Sequence, residues 1–335
     1  MSVLLSAGCG KQAATVDPVK LKSFAALPEA PTFAANDSRT TKIALGRMLY
    51  YEARLSKNQT ISCNSCHPLS MYGVDGKPTS EGDHGQRGDR NSPTVYNASM
   101  HFLQFWDGRA PDVEKQAQGP LLNPAEMAMP SERAVVAVLK SMPGYVAAFR
   151  DAFPGDKNPV TLSHVSEAIG LFERGLIMPS RWDKFLKGDQ ASLTAEERSG
   201  LNHFLASGCG TCHSGTLVGG SAFQKLGMLR EYPDTSDQGR YKVTRNQSDR
   251  MFFKVPSLRN VAMTGPYFHN GKVATLEEAV TQMAEYQTGK QLPIADRDSI
   301  VKWLKSLTGE IDGSYIKQPE LPKSTSRTPR PKAAA

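Results

Sequence analysis

Apolar residues recur at helical spacing through most of the chain. In Thr41–Leu55 the residues Ile43, Leu45, Met48 and Leu49 fall on one stripe, which predicts an amphipathic helix. Ser131 stands three residues ahead of Ala134, with Glu132 and Arg133 in the first turn, a capped start for a helix running to Met142. Helical patterns also cover Thr161–Leu176 and Arg181–Lys187. Thr194 followed by Glu197 is a capping box, opening a helix to about Ala206. Thr275 and Glu278 repeat the box ahead of Tyr286. Asp296–Leu307 closes the series, with Ile300, Val301 and Leu304 on its apolar face. No stretch shows convincing strand alternation. The segments 68–93 and 214–250 are rich in glycine and polar residues. The pattern therefore predicts a mostly α protein with long loops. A loop as long as the first is more often functional than not.

Two of the helical patterns lead into the same five-residue motif. Cys63-Asn64-Ser65-Cys66-His67 follows the first, and Cys209-Gly210-Thr211-Cys212-His213 follows the Thr194 helix. Cys-x-x-Cys-His is the attachment pattern of c-type haem. The thiols bond to the porphyrin vinyl groups, and the histidine supplies an axial bond to iron. One helical turn brings both sulfurs and the imidazole to one side. The motifs use four of the five cysteines, so zinc or a disulfide framework explains them poorly.

At 335 residues, with the motifs 146 apart (209 − 63), one haem per domain is expected. The expected divisions are 1–40 (signal remnant and tether), 41–190, 191–312 and a disordered tail, 313–335. That tail carries Lys317, Lys323, Arg327, Arg330 and Lys332 against Glu320, or +4 of the net +7. Its charge gives little support to a nucleic-acid partner. No apolar run is long enough to span a bilayer. The small residues ahead of Cys9 resemble the end of a bacterial lipoprotein signal, which makes Cys9 a candidate lipid anchor. Covalent haem is fitted outside the cytoplasm, which favours a periplasmic protein.

Longer stretches carry a family resemblance. They are Gly88 to Val95, Gln104-Phe105-Trp106-Asp107-Gly108-Arg109, Glu126-Met127, Lys254 to Asn260, and Pro266-Tyr267-Phe268-His269-Asn270-Gly271. From Lys42 to Gly309 the chain resembles the bacterial di-haem cytochrome c peroxidases, the family that also contains MauG. The resemblance implies two cytochrome c-like domains, each with one covalent haem. The haem on His67 would be the peroxidatic one, with His84 a second ligand in the resting state that leaves on activation. Glycines 82, 85 and 88 give that loop backbone freedom.

The resemblance also assigns roles. Glu126 would be the distal acid–base that moves a proton between the peroxide oxygens, and Gln116 the amide that orients peroxide. Trp106 would bridge the two haems. His213 and Met283 would ligate the electron-transferring haem, with His269 nearby. A calcium ion would be bound by Asn91 and the carbonyls of Thr264 and Pro266. The substrate would be hydrogen peroxide, the donor a small cytochrome c or cupredoxin, and the assembly a homodimer. Taken singly, the residues allow blander readings: Glu126 and Gln116 as surface polar groups, His84 as a loop residue, Trp106 as core. Met228, Met251 and Met263 are rival thioethers, and His101 and His203 read as packing residues. Two rival functions follow: a MauG-like enzyme oxidising a protein, which would carry a tyrosine ligand where Met283 stands (Tyr286 is three residues off), and a non-enzymatic electron carrier, which has no use for Glu126 and Gln116.

Overall fold

The computed structural model describes residues 15–31, 33–34 and 37–331, so Cys9 lies outside it. Its helices are α1 (Pro18–Leu21), α2 (Ser38–Tyr50), α3 (Cys63–Cys66), α4 (Val113–Leu122), α5 (Glu132–Lys140), α6 (Pro143–Ala152), α7 (Leu162–Arg174), α8 (Arg181–Leu186), α9 (Ala195–Ala206), α10 (Tyr241–Thr244), α11 (Leu276–Thr288) and α12 (Ile294–Lys305). Strands β1 (Phe223–Lys225) and β2 (Phe252–Lys254) pair antiparallel, with Phe223 opposite Lys254. At three residues each, they are too short to show alternation. The caps read from sequence close as expected. Thr194 Oγ1 accepts from the Glu197 amide at 3.2 Å, and Thr275 Oγ1 accepts from the Glu278 amide at 3.2 Å. Helices α4 and α6 were not anticipated, because Pro120 and Pro143 interrupt or open their patterns.

Two of the hydrophobic clusters among the described residues form the cores of two lobes. The first gathers Leu45, Leu49, Leu121, Val135, Leu139, Tyr145, Phe149, Val165 and Ile169. The second gathers Phe185, Leu201, Phe204, Ile300, Val301 and Leu304 around Trp182 and Trp303, whose rings meet edge-on at 5.5 Å. Burying each such side chain contributes about 1.5–3 kcal/mol. The same device sets both cores. A Cβ on Gly46 of α2 would lie 1.9 Å from the Ala168 carbonyl oxygen of α7. A Cβ on Gly200 of α9 would lie 1.9 Å from the Ser299 carbonyl oxygen of α12. In each lobe, the helix that precedes the Cys-x-x-Cys-His turn thus crosses the lobe's last long helix with backbones in contact.

The two ends of the chain cross over. Phe24, expected in a tether, is buried edge-on against Trp182 of the second core at 5.4 Å, and the Leu27 amide donates to Asp183 Oδ1 at 2.7 Å. The tail is not free over 313–331 but lies along the first lobe. Tyr315 stacks on Phe172 at 5.2 Å, Arg54 Nη2 donates to the Pro322 carbonyl at 2.8 Å, and Gln59 Nε2 to that of Pro329 at 2.7 Å. Composition suggested disorder there, but the prolines are also compatible with an extended strap whose carbonyls are taken by side chains of the lobe.

Ala substitution at Gly46 or Gly200 should destabilise the protein by about 1–3 kcal/mol in denaturant titration. Gly313→Ala, where a Cβ meets nothing within 4 Å, is the neutral control. Glu173 of α7 gives a pH test. Burial, with Glu114 adding repulsion and Arg174 opposing it, pushes its carboxyl up to about 8 from 4.5. Folding therefore favours the protonated form, so its contribution is intact at acid pH and is lost as pH rises towards 8. Glu173→Gln should gain stability over wild type as pH rises through that window, and the gain should level off above it.

Candidate functional site

Helix α3 is one turn, and the His67 amide closes it onto the Cys63 carbonyl at 2.9 Å. The Tyr50 hydroxyl of α2 holds the His67 carbonyl at 2.7 Å. The His67 ring donates from Nδ1 to the Gly73 carbonyl at 3.1 Å, which leaves Nε2 as the nitrogen with a free lone pair. Burial lowers the basicity of the imidazole and keeps it neutral, the form that binds iron. The second turn repeats this. The His213 amide donates to the Cys209 carbonyl at 3.0 Å, and Nδ1 donates to the Val218 carbonyl at 3.3 Å. Burial takes the ring down to about 4. Arg259 fixes the loop after His213, donating to the Thr216 carbonyl at 2.7 Å and to buried Asp183 at 2.6 Å.

All four motif thiols are unpaired. Burial pushes Cys66 and Cys209 up to about 11, so they stay protonated at neutral pH, unlike the depressed thiols of redox dithiols and zinc sites. Unpaired thiols beside a buried neutral imidazole with Nε2 free fit covalent haem. The His269 Nε2 atom fits as well, since it is buried with no hydrogen-bond partner among the described residues.

The surroundings of the two turns differ. Glu126 sits near the first, and the electrostatics of Cys63 and Cys66 both register it. Burial raises its carboxyl above the usual range, opposed by a 2.7 Å hydrogen bond from Asn123 Nδ2 and by the Arg109 charge. Gln116 lies one turn before Pro120 on α4, and the Pro120 carbonyl takes the Met127 amide at 3.1 Å. The Gln116 side chain is half-buried and makes no hydrogen bond among the described residues. The His84 loop is laced to this region. The Asp83 amide donates to the Glu126 carbonyl at 2.6 Å, and Cys66 Sγ lies 3.9 Å from the Glu81 carbonyl. His84 itself has a left-handed backbone (φ 56°) and a side chain 21% exposed, with Nε2 3.2 Å from Asp83 Oδ2 but not aligned as a hydrogen bond. Gly82 is needed for packing more than for movement, because a Cβ there would lie 2.2 Å from the Ala125 carbonyl oxygen.

Cys209 of the second turn packs against the second core, as does Val280 of α11. Met283 of α11 packs with Trp106, Phe268 and Tyr286 against Leu226, Tyr232, Met251 and Phe253. Of the rival methionines, Met228 and Met263 are exposed, while Met251 is buried in this same cluster. Trp106 belongs to this cluster, and its Nε1 donates to the Asn91 carbonyl at 2.9 Å. His269 is edge-on to Trp106 at 6.5 Å and stacked on Phe253 at 4.3 Å, and its carbonyl takes the Asn91 amide at 2.8 Å. The halves are pinned by Arg90, which bonds Asp107 at 2.5 Å and Asp237 at 2.6 Å.

Asn123, Arg90, Asp107 and Asp237 were missed as site residues. Arg90 and Asp107 lie inside motifs quoted above, but their charge pairing spans long sequence distances. His101 is not a plain packing residue, since Nδ1 contacts the Lys254 ammonium. His203 lies at the surface, 3.5 Å from Asp296.

Residues 40–191 match the family model described as di-haem cytochrome c peroxidase. The chain is 46% identical over 305 residues to the cytochrome c551 peroxidase of Nitrosomonas europaea, covering 90% of each protein. It is 45% identical over 293 residues to that of Pseudomonas aeruginosa, covering 86% of this chain and 84% of that one. Among solved structures, a MauG-like protein associated with microbial copper homeostasis superposes with a TM-score of 0.76 at 28% identity, over 88% of this chain and 97% of that one. The extent and identity of the matches to the two cytochrome c551 peroxidases mean that this chain belongs to the di-haem cytochrome c peroxidase family.

Proposed function

We propose that the protein reduces hydrogen peroxide to water with electrons from a small cytochrome c, and that its two lobes carry unequal haems. The observation that carries this reading is Glu126, a half-buried carboxyl held by Asn123 at 2.7 Å beside the Cys63–Cys66 turn, its proton affinity raised by desolvation. A haem held by Cys63, Cys66 and His67 would supply the iron at which peroxide binds, and one held by Cys209, Cys212, His213 and Met283 would supply the second electron. Each turnover consumes one peroxide, two electrons and two protons, and yields two waters.

Glu126 takes a proton from the near peroxide oxygen and returns it to the far one, which must leave as water. A carboxyl raised by burial suits both halves of that transfer. Asn123 fixes its Oε1. Gln116 offers an uncommitted amide to orient peroxide. Trp106, held through Nε1, offers a polarisable ring between the lobes. Asp83 and the Glu126 carbonyl anchor the loop from which His84 would reach the iron at rest. Met283 supplies a soft thioether that favours the reduced state of the second haem. The first alternative, oxidation of a protein side chain, would need a tyrosine where Met283 stands, and Tyr286 lies three residues further along α11, edge-on against Tyr232 at 5.2 Å.

Calcium belongs to the same proposal. Asn91 spends its Nδ2 on the Lys77 carbonyl at 3.0 Å, leaving Oδ1 for a cation together with the Thr264 and Pro266 carbonyls. Covalent haem implies the periplasm. No helix among the described residues is long and apolar enough to cross a membrane.

Glu126→Gln should lower peroxide turnover by about 10²–10⁴-fold with the optical spectra of both haems unchanged. Full turnover without the carboxylate would exclude this mechanism. In wild type, turnover should fall as acid protonates Glu126, at a pH above the ordinary carboxylate range. Met283→Leu should abolish the thioether–iron absorption band and lower the potential of that haem alone in a redox titration. A retained band would exclude Met283 as ligand.

A further inference from the structure

Lys254 is a lysine where a charge is out of place. The residue is 6% exposed, on β2, and its Nζ has no carboxylate partner among the described residues. Lysine is almost never fully buried unless paired with an acid. Its hydrogen-bond partner is instead Nδ1 of His101, another basic group. Two such groups in contact and away from water hold one proton between them far more readily than two. Burial pushes the Lys254 ammonium down to about 7, and burial with the Lys254 charge keeps His101 well below its ordinary value. The pair is therefore either neutral or singly positive.

The pair's position ties it to the second haem turn. A Cβ on Gly220 would lie 3.0 Å from His101 Cδ2, and one on the adjacent Gly219 would lie 3.2 Å from His213 Nδ1. Consecutive Cα atoms are about 3.8 Å apart, so His101 lies within roughly 13 Å of His213 even along the longest path. Backbone bonds stiffen the link. The Phe102 amide donates to the Gly220 carbonyl at 3.2 Å, the Gly220 amide to that of Val255 at 2.9 Å, and the Lys254 amide to that of Trp106 at 2.8 Å. Other charges on the surrounding elements are committed elsewhere. Asp107 pairs with Arg90 and Arg109, and Asp237 with Arg90 and Lys242. Arg240 donates to the Asp107 carbonyl and covers the Phe223 ring, while Lys225 on β1 is exposed.

We propose that Lys254 and His101 form one buried proton-binding site coupled to the redox state of the haem held by Cys209, Cys212 and His213. This rests on the reading that a haem is bound there. An electron from the donor cytochrome lowers the charge at that haem by one. A fraction of a proton per molecule, about 0.3–0.5 near the pair's midpoint, is then taken from bulk water by the Lys254–His101 pair, and it leaves when the electron moves on. A unit charge at this range, in the effective dielectric of about 20 for protein sites, changes proton affinity by roughly three- to tenfold. By reciprocity the same factor appears in the reduction potential.

The test uses the holoprotein, with attachment of both haems established first by mass and spectrum. A missing second haem would defeat the earlier reading and leave this one without its premise. The potential of the Met-ligated haem is then titrated between about pH 5.5 and 8.5, across the expected proton exchange. Wild type should fall with rising pH by about 30–60 mV, the equivalent of three- to tenfold for one electron. Lys254→Arg, which stays charged, should hold the upper plateau at every pH. Lys254→Met should hold the lower one. The haem on His67 serves as internal control. A wild-type potential that ignores pH, or a slope that survives both substitutions, overturns the proposal. Should either variant fold poorly, proton uptake by wild type on one-electron reduction near neutral pH decides it: a measurable fraction of a proton supports the pair, and none overturns it.

Discussion

Two backbone carbonyls stand where side-chain methyls would otherwise be. The Ala168 oxygen fills the space beside Gly46, and the Ser299 oxygen fills the space beside Gly200. Each contact brings the helix before a Cys-x-x-Cys-His turn against the closing helix of its lobe. Everything nearer the site is hung from those crossings. From α2, Tyr50 reaches the His67 carbonyl. From α9, Phe204 lies tilted against Trp303 at 4.5 Å and near the His213 ring at 6.5 Å. Interiors are close-packed, so a methyl group at either crossing is transmitted to the histidine rather than absorbed.

The repeated scaffold supports unlike chemistry. Both motif histidines spend Nδ1 on a carbonyl and keep Nε2 free. What differs lies on the other side. Near the first turn are a half-buried acid and a loop tied back to the acid's own backbone. The second abuts the apolar second core, where Val280, on the helix that carries Met283, packs as well. Two identical motifs alone do not predict that difference in surroundings.

Much of this was legible in the sequence, and the reasons are local. Caps such as Thr194–Glu197 and the stripe Ile300, Val301, Leu304 are encoded within a turn or two, so the pattern finds them. Cys-x-x-Cys-His is equally local. Asn123 was missed because its partner Glu126 became visible only through the family motif, and Asn-Pro reads simply as a turn. Arg90–Asp237 and Lys254–His101 join residues 147 and 153 positions apart, and no periodicity connects them. The ends of the chain were misread for a related reason. Proline-, serine- and alanine-rich composition describes what a segment cannot bury by itself and says nothing of a groove supplied by another lobe.

The crossed ends also impose an order of assembly. The strap that occupies Arg54, Gln59 and Ser141 of the first lobe is synthesised after the whole second lobe. The first lobe therefore emerges with those donors and acceptors still open to water. In the other direction, Phe24 and Leu27 must wait for Trp182 and Asp183 before they find their places. Each lobe is therefore completed by a segment from the far side of the other lobe in sequence, and the two are tied together without a further covalent link.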